Sequence, residues 1–161
     1  MSDFTNDLSR GKIGENKLDN FFNSKYYIEA VSIDTEIDCG YDRIFTRKSD
    51  GKKLTVEYKT DYMTLQTGNL FLEEDVFTYT SQNHKPGWIY HSQADIIIYF
   101  IEPIILVMRR EPLLAFFHKY YNDYRTVKTK NDVNEASGLL VPYFDIRDNK
   151  DITIKVYTMG K

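Results

Sequence analysis

The sequence predicts an α/β domain in which a mixed central β-sheet is flanked by helices. An amphipathic helix pattern opens the chain and a second one covers residues 111–125, while strand-like segments fill the interval and follow the second helix. Residues 94–101 (ADIIIYFI) are almost entirely apolar, which is typical of a strand buried on both faces of a sheet. With 161 residues and no linker or repeat, the chain is expected to form one domain over residues 1–161.

Composition and charge exclude several classes of protein. The chain has no apolar run of 18 residues, which predicts no membrane span. Residues 1–12 lack the apolar centre of a signal peptide, and the single cysteine, Cys39, cannot form an internal disulfide, so a cytoplasmic protein is expected. The net charge of −3 argues against a basic protein that coats DNA without specificity. The cysteine and three histidines do not show the spacing of a zinc site.

Residues 4–24 are predicted to form the first helix. Six residues recur at alternating spacings of four and three and so share one helical face: Phe4, Leu8, Gly11, Glu15, Leu18 and Phe22. Gly11 and Gly14 are expected to let this helix approach the sheet closely. Glu15 is the only carboxylate in the stripe, and an unpaired carboxylate facing a core is costly. We therefore expect Glu15 to have a partner or to face a functional site; the alternative is that it reaches water at the edge of the stripe.

A β-hairpin over residues 41–61 is the centre of the functional interpretation. Its second half alternates apolar and polar residues, the pattern of a half-buried strand: Leu54, Val56 and Tyr58 against Thr55, Glu57 and Lys59. The dipeptide Asp50-Gly51 favours a two-residue turn. Before the hairpin, residues 26–33 are predicted to form the first strand, and the acidic residues within 34–38 a solvated loop.

The predicted turn fixes the register of the hairpin. If Asp50 and Gly51 are the two loop residues, paired residue numbers sum to 101, and Asp42 lies opposite Lys59. Facing residues of an antiparallel pair point to the same side, so Asp42, Glu57 and Lys59 share one face. A slip of one residue would move Asp42 to the other face. Asp38 is a rival for the first acidic position, and the register favours Asp42.

Two neighbouring carboxylates with an ammonium group beside them suit metal-assisted phosphate chemistry. Carboxylates that lie close together repel each other unless a cation is bound. Mg²⁺ prefers oxygen ligands and is commonly held by one or two carboxylates together with water and phosphate. A lysine at the same place can stabilise charge on a phosphate. The alternative is a surface hairpin with an ordinary Asp–Lys pair across its strands.

These residues resemble the signature of the PD-(D/E)xK nuclease superfamily, which includes restriction endonucleases and Holliday junction resolvases. Asp42, a gap of fourteen residues and then Glu57-Tyr58-Lys59 match its Asp…(Asp/Glu)-x-Lys motif. The segments TGNLFLEE, PGW and ADIIIYF that follow resemble a run found in small phage and bacterial members. The likeness covers roughly residues 11–100. Tyr41 stands where the family usually has proline before the first acid.

The resemblance implies a function and a set of residues. It implies an αβββαβ core like that of restriction endonucleases and a metal-dependent DNA endonuclease, with DNA as substrate and a homodimer as the assembly, in the host cytoplasm if a phage encodes it. Glu15, Asp42 and Glu57 would bind Mg²⁺, with Mn²⁺ as a substitute, and Lys59 would orient water or stabilise the transition state. The alternative is a module of the same fold that binds nucleic acid or protein without cleavage.

The rest of the chain supplies secondary candidates and the remaining elements. We predict a strand over 69–73, a mobile loop over 81–91, a strand over 104–108, a helix over 111–125 that begins near Pro112, and closing strands over 139–146 and 152–159 as a hairpin. Polar residues on the first of these strands lie near the site in the resembling family. The candidates for substrate contact are Thr67, Asn69, Glu73, Trp88, Arg109 and Arg110, each with an ordinary structural role as the alternative. For Trp88 that alternative is a plug at the sheet edge.

Overall fold

The computed structural model describes the backbone of residues 3–160 and the side chains of residues 9–160, and it contains two sheets with helices around them. In chain order the elements are α1 (Asp3–Phe22), β1 (Tyr26–Ala30), α2 (Ile33–Cys39), β2 (Arg43–Arg47), β3 (Lys53–Thr60), α3 (Thr64–Thr67), β4 (Asn69–Thr78), β5 (Asn83–Pro86), α4 (Trp88–His91), β6 (Ile96–Ile101), β7 (Ile104–Arg109), α5 (Arg110–Lys119), β8 (Arg125–Lys130), β9 (Asn134–Pro142), α6 (Tyr143–Arg147) and β10 (Thr153–Thr158). None of the helices in this part of the chain has both the length and the apolar character needed to cross a membrane.

The main sheet is mixed and has six strands in the order β1-β2-β3-β6-β7-β10. Strands β3 and β6 are parallel, and all other neighbours in this sheet are antiparallel. The predicted mixed α/β class is therefore confirmed. The prediction of a buried central strand is also confirmed, because every residue of β6 is buried. The connection from β3 to β6 differs from the simple helix of an αβββαβ core, since it contains α3, β4, β5 and α4.

A second, four-stranded antiparallel sheet was not predicted from the sequence. Its order is β5-β4-β9-β8, and β4 extends to Thr78, five residues beyond the predicted strand. The predicted closing hairpin is wrong. Strand β9 pairs with β4 in the second sheet, whereas β10 pairs with β7 in the main sheet. The chain changes sheets at helix α6, which begins directly after Pro142 and contains residues 143–146 of the predicted strand.

Two hydrophobic clusters cover the two faces of the main sheet. One joins Leu18 and Phe22 of α1 to Val56 and Tyr58 of β3. The other joins Ile97 and its neighbours on the opposite face to α5, α4 and the buried side of the second sheet. Because side chains alternate along a strand, Glu57 and Lys59 lie on the face away from α1.

Three other local predictions are corrected. Residues 34–38 form helix α2 instead of a loop, since Ser32 accepts a hydrogen bond from the Thr35 N–H and Gly40 ends the helix in a left-handed conformation. The predicted loop over 81–91 contains β5 and α4. The second helix begins at Arg110 and ends at Lys119, six residues before the predicted end. Residues 125–130 form strand β8, which pairs with β9.

Helix α1 approaches β3 closely at Gly14, where an added Cβ would lie 2.5 Å from the Thr60 Oγ1 atom. Gly11 has open space around it, so only one of the two predicted glycine contacts exists. Leu18 and Phe22 are buried as predicted, and the side chains of Phe4 and Leu8 lie outside the described residues. We expect Gly14→Ala to lower the free energy of unfolding by about 1–3 kcal/mol through overpacking. Chemical denaturation would test this, with Gly11→Ala as the matched control that leaves stability equal or higher.

Candidate metal-binding and catalytic site

The hairpin that carries the site has a different register from the predicted one. Arg43 pairs with Val56 and Thr46 with Lys53, so paired numbers sum to 99 instead of 101. The loop contains the four residues 48–51, because only Gly51 adopts the positive φ that a two-residue turn would require of Asp50 as well. Asp50 holds this loop by accepting a hydrogen bond from the Lys52 N–H at 3.0 Å.

The shift of two residues preserves the face on which each side chain lies. Asp42 precedes β2, and its N–H donates to the Val56 carbonyl at 3.0 Å. Asp42 is therefore beside Glu57, two residues along β3 from the predicted position opposite Lys59. The prediction that Asp42, Glu57 and Lys59 share one face of the hairpin agrees with this register.

The Asp42 carboxylate is buried, and its hydrogen bonds from the backbone are long. The backbone N–H of Tyr58 donates to both of its carboxylate oxygens, at 3.2 and 3.3 Å. Burial and the neighbouring charge of Glu57 raise the pKa of Asp42 to about 7, against the opposing effect of Arg43. Near neutral pH this carboxyl is therefore close to its titration midpoint, and a bound cation would favour its ionised form.

Glu57 has one paired and one unpaired oxygen. Its Oε1 atom lies 2.8 Å from the Nζ atom of Lys59. Its Oε2 atom is buried and accepts no hydrogen bond from the described residues. A buried oxygen without a donor is costly in a carboxylate, so Oε2 marks a position that a cation or a water molecule would occupy favourably.

Lys59 lies among carboxylates and above an aromatic ring. Burial alone would lower its pKa, but the charges of Glu57, Glu73 and Asp42 outweigh burial and raise it. The ammonium is 5.5 Å from the centre of the Trp88 ring, a cation–π contact. Trp88 is 8 % exposed and packs in the core against Tyr99. The structure thus gives Trp88 the role of a core residue beneath Lys59, and it is not available to stack on a base.

Glu73, predicted as a secondary candidate, does reach this cluster. Its Oε1 atom accepts a hydrogen bond from the Trp88 N–H at 3.2 Å. Burial raises the pKa of Glu73, and the charge of Glu57 adds to that rise. The charge of Lys59 and the hydrogen bond from the Trp88 backbone N–H oppose it. Glu73 therefore lies within electrostatic reach of both Lys59 and Glu57.

Glu15 does not join these carboxylates. It belongs to α1, on the opposite face of the main sheet, and its Oε1 atom is 4.0 Å from Arg43. Burial raises the pKa of Glu15, with Arg43 opposing. The expectation of a partner for Glu15 is thus met by Arg43, whereas the three-carboxylate arrangement is not formed. Among residues 9–160, no three His, Cys, Asp or Glu side chains converge in the manner of a metal site.

A polar network around Arg43 was not predicted from the sequence. Arg43 binds both oxygens of Asp19, at 3.1 and 3.3 Å, and the Tyr58 hydroxyl donates to Asp19 at 2.7 Å. Asp19 follows Glu15 by one helical turn, and this spacing is the signal that could have placed both acids on the side of α1 that meets Arg43. The network fixes Arg43, which follows Asp42 in the chain, and Tyr58, which follows Glu57.

The other secondary candidates lie in local structure or far from the carboxylates. The Thr67 hydroxyl donates to the Met63 carbonyl and accepts from the Asn69 N–H, so these residues close the turn around α3. Arg110 donates to the Ala94 carbonyl at 2.7 Å. Arg109 and Arg110 line a groove of about 500 Å³ near the other end of β3, together with Lys52. This groove is separate from Asp42 and Glu57.

The oxygen donors of Asp42 and Glu57 are of the kind that Mg²⁺ prefers. Asp42 and Glu57 offer a pair of buried oxygen ligands with a free position at Glu57 Oε2, and Mg²⁺ commonly takes only one or two carboxylates from the protein. Mn²⁺ accepts the same oxygen donors. The set lacks the sulfur and imidazole donors that favour zinc.

Comparison of the chain with protein-family models, with curated proteins and with solved structures gives no significant match. A functional assignment therefore depends on the chemistry of the site described above.

Proposed function

We infer that the chain is a divalent-cation-dependent deoxyribonuclease of the PD-(D/E)xK type. One observation supports this above the others: a buried carboxylate oxygen of Glu57 without a donor, beside a second buried carboxylate, Asp42, whose pKa is raised to about 7 by burial and by Glu57. An arrangement of this kind is unfavourable without a cation and is typical of functional sites. The motif Asp42…Glu57-x-Lys59 gives the cation site its expected role in phosphodiester hydrolysis.

Each residue of the cluster has a distinct task in this proposal. Asp42 and Glu57 would hold the ion, which would supply charge stabilisation and a more acidic water. Lys59 donates a hydrogen bond to a phosphate oxygen at the scissile position, where negative charge grows in the transition state. Trp88 supports the Lys59 ammonium from below and excludes water from that side.

A binding module without cleavage is the second candidate, and one observation favours it. Glu15 is held by Arg43 on the other face of the sheet, so the site has two converging carboxylates instead of the three that the resemblance implies. A protein of this kind would bind DNA with no dependence on the two carboxylates.

A cleavage assay separates the two candidates. Labelled duplex, single-stranded, flap and four-way-junction DNA would be incubated with the protein in Mg²⁺, Mn²⁺ or EDTA. We expect cutting of at least one substrate in Mg²⁺ and Mn²⁺ and none in EDTA, because phosphodiester hydrolysis at this site requires the cation. Tight binding of a substrate that is never cut would contradict the nuclease assignment and support the binding module.

A further inference from the structure

Glu57 has two demands on it in the proposed nuclease. Its Oε1 atom is the closest anionic partner of the Lys59 ammonium, at 2.8 Å, and the same carboxylate is a proposed ligand of the cation. A divalent ion at Glu57 competes with Lys59 for negative charge and also repels the ammonium. Lys59 therefore needs a second counter-charge if it is to remain ordered beside the ion.

Glu73 is the carboxylate placed to provide this counter-charge. It comes from the second sheet, and its charge helps to raise the pKa of Lys59, after the larger effect of Glu57. The backbone N–H of Trp88 donates to its Oε1 atom at 3.2 Å, and Lys59 lies 5.5 Å from the ring centre of the same tryptophan. Lys59 thus has Glu57 in contact on its own strand and Glu73 as a second carboxylate, which is not one of the two proposed ligands of the ion.

The backbone around Glu73 is built to fix its position. The register of β4 against β9 shifts between Glu73 and Asp75, so that a bulge redirects the strand at this residue. Two glycines pack on it without room for a side chain: an added Cβ on Gly87 would lie 2.4 Å from the Glu73 carbonyl oxygen, and one on Gly138 would lie 2.9 Å from the Glu73 Cα. The backbone of Glu73 is therefore fixed by Gly87 and Gly138, and its half-buried carboxylate is held by the backbone N–H of Trp88.

We propose that Glu73 is the positioning residue of the site, which takes over the Lys59 ammonium when Glu57 binds the cation. This inference rests on the proposed metal-dependent function. Glu73 is not a ligand of the ion in this arrangement; it acts by releasing Glu57 from Lys59. It links the second sheet, which the superfamily signature on the main sheet does not include, to the chemistry.

A double-mutant cycle on Mg²⁺ and Mn²⁺ affinity, measured by calorimetry with no DNA present, tests the inference. Glu73→Gln keeps an oxygen acceptor for the Trp88 N–H and removes the charge. We expect it to weaken cation binding about tenfold, the lower end of the range for residues that support metal ligands. In a Lys59→Met background the same change is expected to alter affinity less than twofold, because the competing ammonium is absent. Lys59→Gln provides a second neutral background.

Glu74→Gln is the matched control, since Glu74 is the adjacent carboxylate at the bulge and accepts a hydrogen bond from the Tyr121 hydroxyl. It is expected to leave affinity unchanged. Equal affinity of Glu73→Gln and the parent protein would overturn the inference, and so would a tenfold loss that persists without Lys59, which would make Glu73 a ligand or a purely structural residue. A parent protein that binds neither ion would instead remove the proposed metal site, and the inference with it.

Discussion

Glu57→Gln is expected to lower the rate of metal-dependent DNA cleavage by about 10³-fold, equivalent to about 4 kcal/mol of transition-state stabilisation. The amide keeps the size of the side chain, but it removes the charge that balances the cation and leaves Asp42 as the only buried carboxylate of the pair. Cation binding is expected to weaken in parallel. Single-turnover cleavage at saturating DNA, with calorimetry of Mg²⁺ binding on the same variant, would measure both effects.

The chain offers a matched control for this substitution. Glu135 of β9 forms an ion pair with Lys128 of β8 in the second sheet, at 3.6 Å, and its side chain is partly buried. Glu135→Gln is expected to cut DNA at the parental rate, because this ion pair lies outside the site and its lysine is exposed to solvent. Parental cleavage by Glu57→Gln would refute the assignment of Glu57, provided that circular dichroism shows both variants folded.

Sequence periodicity predicted the elements of the main sheet better than their partners. The alternation in β3 and the apolar run of β6 depend on local contacts with a core, and both strands occur where predicted. Strands β4 and β9 have similar local patterns, but the pairing of Asn69 with Pro142 is set by tertiary packing across a long stretch of chain. The second sheet was missed for this reason, since periodicity identifies a strand and not its neighbour.

The length of the second helix shows how tertiary packing can imitate a local pattern. Tyr120 and Tyr124 continue the helical spacing of Leu113 and Phe117, which led to a predicted helix over 111–125. In the structure the helix ends at Lys119, and both tyrosine rings fold back against Phe116, at centroid distances of 4.8 and 5.9 Å. Both rings can therefore pack against the helix without being part of it, so apolar residues at helical spacing do not prove that the helix continues.

The candidate site was predictable where it depends on strand parity and not where it depends on competition between charges. A register shift of two residues leaves each side chain on the same face, so the wrong turn did not change the prediction that Asp42, Glu57 and Lys59 share a face. The position of Glu15 depends on which acid Arg43 binds, and Arg43 faces α1 only because of its place in the hairpin. No local pattern contains that information.

Asp42 is expected to make the stability of the cation-free protein fall with rising pH. Its pKa is raised from 3.8 to about 7 in the folded protein, by burial first and by Glu57 second. The folded state therefore holds this proton more tightly than the unfolded state does. The associated stability is present below about pH 4 and is lost progressively as pH rises to about 7, with a total of about 2–4 kcal/mol.

Denaturation of the parent protein and of Asp42→Asn in EDTA, from pH 4 to pH 8, would measure this loss. The asparagine side chain can still accept the Tyr58 N–H, but it carries no charge, so its advantage over aspartate should grow across this range and level off above about pH 7. Adding Mg²⁺ at pH 8 should raise the stability of the parent protein alone, because the ion binds the ionised pair of Asp42 and Glu57 in the folded state. A constant difference between the two proteins at all pH values, with or without Mg²⁺, would mean that Asp42 has an ordinary pKa and no affinity for the cation. The carboxylate that destabilises the free protein is thus expected to be the one through which the cation stabilises it.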